Sequence, residues 1–158
     1  MEEYIMTIDE GTTSARAVLF NKDSEIIAIC AKEFAQYYPQ PGWVEQDPKE
    51  IWLTTKEVIN RVVLQAGIDP RQIKAAGITN QRETVVVYDK NTGEPVYNAI
   101  GWADRRTAPY CDELKAAGKE QMFIDKTGLL IDGYFSGTEI KWILDNVPGA
   151  REKAEAGD

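Results

Sequence analysis

An α/β fold with a mixed sheet flanked by helices is predicted by three observations. Three strand-like runs joined by short polar turns open the chain, helical and strand-like runs alternate after them, and 43% of the 158 residues are hydrophobic. That share is enough for a genuine core, and the length fits one domain, residues 1–158.

Tyr4–Ile8 reads as a strand that stops at Asp9-Glu10-Gly11, and Ala15–Phe20 as a second. Asn21-Lys22-Asp23-Ser24 turns the chain into a third, Glu25–Phe34, so the three form an antiparallel meander. Tyr38–Trp43 holds too much proline for regular structure. A helix then opens with Asp47 as cap, Pro48 at its first position and Glu50 as the capping-box acid. Ile51, Trp52, Val58, Ile59, Val62 and Val63 fall on one face of it, and Gly67 ends it. Ala75–Thr79 reads as a short buried strand and Thr84–Tyr88 as another, followed by a turn at Asp89–Gly93. Asp104 is predicted to cap a helix reaching about Lys115 and closed by Gly118. The last clear helix opens on a capping box of Ser136 and Glu139. It turns Ile140, Ile143 and Leu144 inward and stops before Pro148-Gly149. Arg151–Asp158 reads as a polar helical tail.

Composition excludes several functions. Net charge is −8, with 26 acidic against 18 basic residues. No basic run offers the concentrated positive face that a nucleic-acid backbone requires, so nucleic acid is not expected as a partner. The sequence contains no histidine, so chemistry must rest on carboxylates, hydroxyls, arginines or a soluble metal ion. Cys30 and Cys111 fit neither zinc spacing nor a secreted disulfide framework and read as small buried thiols. No stretch reaches membrane-spanning length, and the start Met1-Glu2-Glu3-Tyr4 lacks a signal-peptide profile, so a cytoplasmic location is expected.

Asp9-Glu10-Gly11-Thr12-Thr13-Ser14-Ala15-Arg16 lies between two predicted strands. Gly11 permits a tight turn in which successive backbone N–H groups point at one anion. Thr12, Thr13 and Ser14 add hydroxyl donors, Arg16 adds a cation, and Asp9 is placed to hold Mg²⁺ through water. An ordinary polar hairpin turn has the same composition, and the segment alone does not separate the two readings. It is not a Walker A loop, because no Gly-Lys-Ser/Thr follows and the next element is a strand.

Strand, Asp-x-Gly-Thr-Thr-Ser-x-Arg, strand is similar to the first phosphate loop of the actin-like (ribonuclease H-like) ATPase superfamily, and within it to the FGGY sugar and polyol kinases. Three later segments resemble the glycerol kinases in particular: Gly77-Ile78-Thr79-Asn80-Gln81-Arg82-Glu83-Thr84, Trp102-Ala103-Asp104-Arg105-Arg106-Thr107, and Thr127-Gly128-Leu129 with Tyr134-Phe135-Ser136-Gly137-Thr138. The four segments occur in order over nearly the whole chain.

The resemblance implies substrate binding by Arg82, Glu83, Trp102 and Tyr134. Arg82 would donate to adjacent hydroxyls, Glu83 accept from them, Trp102 cover the carbon face and Tyr134 add a hydroxyl contact. Taken singly, an Arg-Glu pair is usually a solvated surface pair and a tryptophan usually core. The resemblance further implies Asp9, Gly11, Thr12, Thr13, Ser14 and Arg16 as nucleotide-binding residues, Asp9 as the metal residue, ATP and Mg²⁺ as cofactors, glycerol as substrate, and a homo-oligomeric full-length enzyme. It places the general-base aspartate, and the carboxy-terminal nucleotide-binding domain, beyond Asp158, so a chain ending there is expected to be inactive alone.

Three residues depart from the family pattern: Glu10 for a usual glutamine, Ala103 for another, and Glu139 where lysine is common. A pentulose or hexonate kinase of the same family, or a non-catalytic actin-like binding module, are the alternatives.

Overall fold

The structure, a computed structural model, describes residues 2–158, and Met1 lies outside the described residues. In chain order it contains β1 (Tyr4–Glu10), β2 (Ser14–Asn21), β3 (Ile26–Glu33), β4 (Glu45–Gln46), α1 (Pro48–Ala66), a 3₁₀ turn at Pro70–Gln72, β5 (Ile73–Asn80), β6 (Ala99–Ile100), α2 (Ala108–Ala116), α3 (Glu120–Thr127), α4 (Ser136–Asn146) and α5 (Ala150–Ala156). Two compact units divide the chain: one of residues up to Gln36 with Asp47–Gln81, the other of Tyr37–Gln46 with Arg82–Asp158.

The first unit is a four-stranded sheet in the order β3-β2-β1-β5 with α1 on one face. The predicted meander forms: β1 pairs antiparallel with β2 and β2 with β3, whereas β5 joins β1 in parallel, which makes the sheet mixed. Strand alternation sends Tyr4, Met6, Ile8, Ala15, Ala17, Leu19, Ala28 and Cys30 into one cluster with Val58 and Val62 of α1. Fully burying each of those two valines is worth about 1.5–3 kcal/mol.

Asp47 caps α1 through Lys49 N–H, Pro48 stands in the first turn, and Gly67 closes the helix at φ 64°. Two details of the helix differ from expectation. Glu50 accepts from the backbone N–H of Ala35 at 3.2 Å rather than completing a capping box. Trp52 is 59% exposed, because Thr54 and Thr55, with Val58 and Val62, define the inward face. β5 is longer than predicted and is exposed along nearly all its length, since α1 covers β1–β3 and no strand among the described residues pairs with the far edge of β5.

The second unit contains the short β4–β6 ladder and α2–α5, with a core cluster of Ile100, Ile143 and Ala150 drawn from β6, α4 and α5. Thr84–Tyr88 does not form the predicted strand; Val85 and Tyr88 make isolated bridges to Ile100 and Pro95. The turn at Asp89–Gly93 is present, its Asp89 carboxylate accepting from Asn91 and Thr92 N–H. Asp89 also pairs with Lys153 of α5 at 2.8 Å. The bond from Lys153, followed by those from the backbone, draws the Asp89 carboxyl down to about 2.

Asp104 does not cap a helix. α2 starts later, after Thr107, and the Asp104 carboxylate is taken by Arg106 and by Val44 N–H. The capping box of Ser136 and Glu139 is also absent: α4 is preceded by Phe135 with no side-chain cap, and Glu139 is buried. Ile143 is buried as expected, but Ile140 is 39% exposed. α3 has no counterpart in the sequence-based expectation; its face is weakly patterned and carries no buried residue. Both cysteines are free and buried. Among the described residues, no helix is long and apolar enough to cross a membrane.

Candidate functional site

The hairpin between β1 and β2 holds the whole first group of candidates. Gly11 N–H donates to Ser14 O at 2.9 Å and closes the turn, so this N–H serves the turn rather than an incoming anion. A Cβ on Gly11 would meet that same carbonyl at 3.1 Å, which explains glycine there. Phe34 N–H donates to Thr13 O at 3.2 Å and Gln36 Nε2 to Thr12 O at 3.0 Å, fastening the turn to the chain that leaves β3. Asp9 and Arg16 are direct cross-strand partners, so their side chains share one face of the sheet. Thr13 and Arg16 are exposed; Asp9, Gly11, Thr12 and Ser14 are half-buried. Glu10 points to the opposite face, where Thr55 Oγ1 donates to its Oε1 at 2.6 Å. The added acid of this departure is therefore tied to α1, away from the face of Asp9 and Arg16.

β5 ends beside this hairpin, Asn80 in register with Glu10, two residues before Arg82. In the second unit the chain then makes a strained turn: Glu83 has φ 68°, one of two described non-glycine residues at positive φ. Such a backbone persists only when its surroundings over-determine it. Here Ser136 Oγ, at the start of α4, donates to Glu83 O at 2.9 Å. Thr84 Oγ1 accepts from Trp102 N–H at 3.2 Å. Trp102 and Tyr134 meet edge to face with ring centroids 6.0 Å apart, and Tyr134 stacks likewise on Phe135 at 5.1 Å. Glu83, Trp102 and Tyr134, far apart in sequence, are thus brought together. Arg82 is exposed and joins the group through its chain neighbour.

The segment Trp102–Thr107 is anchored by a buried ionic cluster. Arg106 donates to Glu45 Oε1 at 2.8 Å and to Asp104 Oδ2 at 2.9 Å, with all three side chains no more than 3% exposed. Its guanidinium stacks on Trp43, 3.9 Å from the ring centroid, and on Trp142 at 4.6 Å. Burial would raise the Glu45 carboxyl, but bonds from Tyr97, Asn98 and Arg106 outweigh it and hold it below the usual carboxylate range. The cluster anchors the segment that begins at Trp102, and its three side chains are closed off from solvent. Ser136 and Thr84 are the supporting residues that sequence reasoning missed. Serine three residues before an acid is a common cap pattern, so Ser136 fits a helix cap by sequence, and only tertiary placement shows its hydroxyl serving Glu83.

Residues 4–157 match the family model described as the FGGY family of carbohydrate kinases, N-terminal domain. The chain belongs to the FGGY family of carbohydrate kinases. It is 60% identical over 156 residues to a glycerol kinase of Chromobacterium violaceum, a match covering 99% of this chain and 31% of that one. Against a glycerol kinase of Geobacillus sp. the identity is 60% over 158 residues, 100% of this chain and 32% of the relative. In fold it is similar to the Plasmodium falciparum glycerol kinase solved with ADP, with a TM-score of 0.90 and 31% identity over 99% of this chain and 31% of that chain. This FGGY chain thus spans about a third of the length of the curated relatives it matches. Its mixed sheet with flanking helices is of the actin-like ATPase type, as the sequence led us to expect.

Proposed function

We propose that this chain supplies the first phosphate turn and most of the polyol half-site of an ATP-dependent glycerol kinase. The observation that carries the reading is the convergence of the Glu83 turn, Trp102 and Tyr134 within one unit. A small neutral polyol needs donors, acceptors and an apolar plate together, and Arg82, Glu83, Tyr134 and Trp102 are those three kinds of group. Identity of 60% to glycerol kinases over nearly the whole chain favours glycerol over a pentulose or hexonate.

In the whole enzyme a terminal hydroxyl of glycerol attacks the γ-phosphorus of ATP in line. The new O–P bond gives sn-glycerol 3-phosphate, ADP leaves with the electrons of the broken bond, and the hydroxyl proton passes to a carboxylate that the resemblance places beyond Asp158. Asp9, Gly11, Thr12, Thr13, Ser14 and Arg16 are the nucleotide side of this proposal: the hydroxyls donate to phosphoryl oxygens and Arg16 offsets their charge. No cluster of three metal-binding acids occurs among the described residues. Asp9, a half-buried carboxylate at the end of β1, fits Mg²⁺ because that ion takes most of its ligands from water and phosphate. When bound, Mg²⁺ would withdraw charge from the phosphoryl groups. The reading carries with it a cytoplasmic role in glycerol metabolism and a homo-oligomeric whole enzyme.

A positioned base contributes roughly 10²–10⁴-fold, and holding both reactants together about 7–11 kcal/mol. The 158-residue chain is therefore expected to bind glycerol and to show no ATP-dependent phosphorylation at the rates of the longer relatives. Calorimetry with glycerol tests the half-site. Arg82→Ala removes hydrogen bonds from a charged donor worth about 1.5–3 kcal/mol, so binding should weaken by at least about tenfold. An unchanged affinity contradicts the assignment. In a panel of glycerol, a pentulose and a hexonate, preference for either sugar would move the chain to another branch of the family.

A further inference from the structure

α4 presents two side chains to the region of Glu83. Ser136 holds the Glu83 carbonyl, and Glu139, one turn on and so on the same helix face, is 0% exposed. Neither carboxyl oxygen of Glu139 has a hydrogen-bond partner, and Arg106 Nη1 is likewise buried and unpartnered.

Charge balance gives this arrangement its meaning. The charged groups that act on Glu139 are Asp104 and Arg106 from the Trp102–Thr107 segment and Glu83 from the strained turn. Arg106 is already answered by two buried carboxylates, Glu45 and Asp104. One cation and two anions leave a net negative charge in a dry site. A third carboxylate there, without a single hydrogen bond, would bear the full cost of an unpaired buried charge, and a group in that position takes a proton instead. Lys141, two residues on, is no counter-ion for it, being paired with Asp145.

We propose that Glu139 is a positioning residue of the polyol half-site, kept as a neutral carboxylic acid facing Glu83, and that its ionisation unseats the Glu83 turn and weakens polyol binding. The inference rests on the polyol reading of the Arg82–Glu83 turn. As a neutral acid Glu139 leaves the negative charge of Glu83 available to ligand hydroxyls. As a carboxylate it sets a like charge against both Glu83 and Asp104, at a backbone already strained by its positive φ. Burial first, then Asp104 and Glu83 with Arg106 opposing, push the Glu139 carboxyl up to about 9. The ionised form is therefore an alkaline species.

Two measurements on the same chain test this. The Glu139 side-chain carboxyl carbon, assigned through the backbone in ¹³C-labelled protein, is followed from pH 4 to 10.5. Glycerol affinity is measured by calorimetry over the alkaline half of that range for the wild type and for Glu139→Gln, the neutral isostere. A carboxyl titrating near about 9 is the expected result. If only the protonated form binds, wild-type affinity falls about tenfold between pH 7 and pH 10, and Glu139→Gln shows no such loss. A carboxyl titrating at 4–5 while glycerol still binds overturns this proposal alone, and so does an equal alkaline loss in both proteins. If the wild type binds no glycerol at any pH, the polyol reading itself falls and the positioning role falls with it. Should Glu139→Gln not fold, the wild-type carboxyl titration and the wild-type affinity profile decide: midpoints that coincide uphold the proposal, and midpoints that differ overturn it.

Discussion

The two turns proposed to meet ligand are supported differently. The Gly11–Ser14 turn of the first unit is closed by its own backbone, Gly11 N–H to Ser14 O, inside a hairpin whose strands are consecutive in the chain. The Glu83 turn of the second unit leans on partners in other segments as well. Its positive φ is supported from far away in sequence, by Ser136 on Glu83 O and by Thr84 on Trp102 N–H, on a segment that Arg106 anchors to Glu45 and Asp104. Locally closed turns depend on backbone and glycine; remotely supported turns depend on distant side chains, and should fail when those are cut.

The largest effect should come from Arg106→Ala. It strands Glu45 and Asp104 as buried unpaired charges, and breaking such a pair costs about 3–5 kcal/mol. Chemical denaturation followed by tryptophan fluorescence should show the loss; a change below about 1 kcal/mol would mean that the cluster behaves like an exposed pair. Next is Ser136→Ala, which removes one hydrogen bond of about 0.5–1.5 kcal/mol. Glycerol binding should weaken several-fold while the stability change stays in that same range, a split that shows support of a site rather than of the whole unit. Equal affinity would break the comparison. The smallest effect should come from Gly11→Ala, whose Cβ would crowd Ser14 O at 3.1 Å. A destabilisation of about 1 kcal/mol in thermal unfolding is expected, with glycerol affinity unchanged, because the hairpin holds no candidate polyol residue.

The same contrast explains what could be read in advance. The meander, α1 with its Asp47 cap and Gly67 stop, and the hairpin turn follow from contiguous patterns, and the structure contains them nearly as predicted. The misplaced features share one cause. Asp104, Ser136, Glu139 and Glu50 each carry a side chain that local pattern assigns to a helix start, and each is engaged or buried elsewhere. Capping signals report local competition for backbone donors, whereas tertiary partners on other segments offer these side chains stronger or drier places. Trp52 misled for the converse reason: its size suggested core, while two threonines occupy the inward face of α1. In the candidate polyol site, the four named residues were legible through ordered resemblance, but their supports were not, because a hydroxyl bonding to a distant carbonyl leaves no spacing in the sequence.

Glu83, Trp102 and Tyr134 are proposed to form one polyol-binding surface. Glycerol added to ¹⁵N-labelled chain tests it most directly, with Trp52, 59% exposed on α1, as the internal control. Saturable shifts of the Trp102 indole and the Glu83 amide, with the Trp52 indole unmoved, are expected. No shift at Trp102 and Glu83, or one matched at Trp52, would contradict the claim.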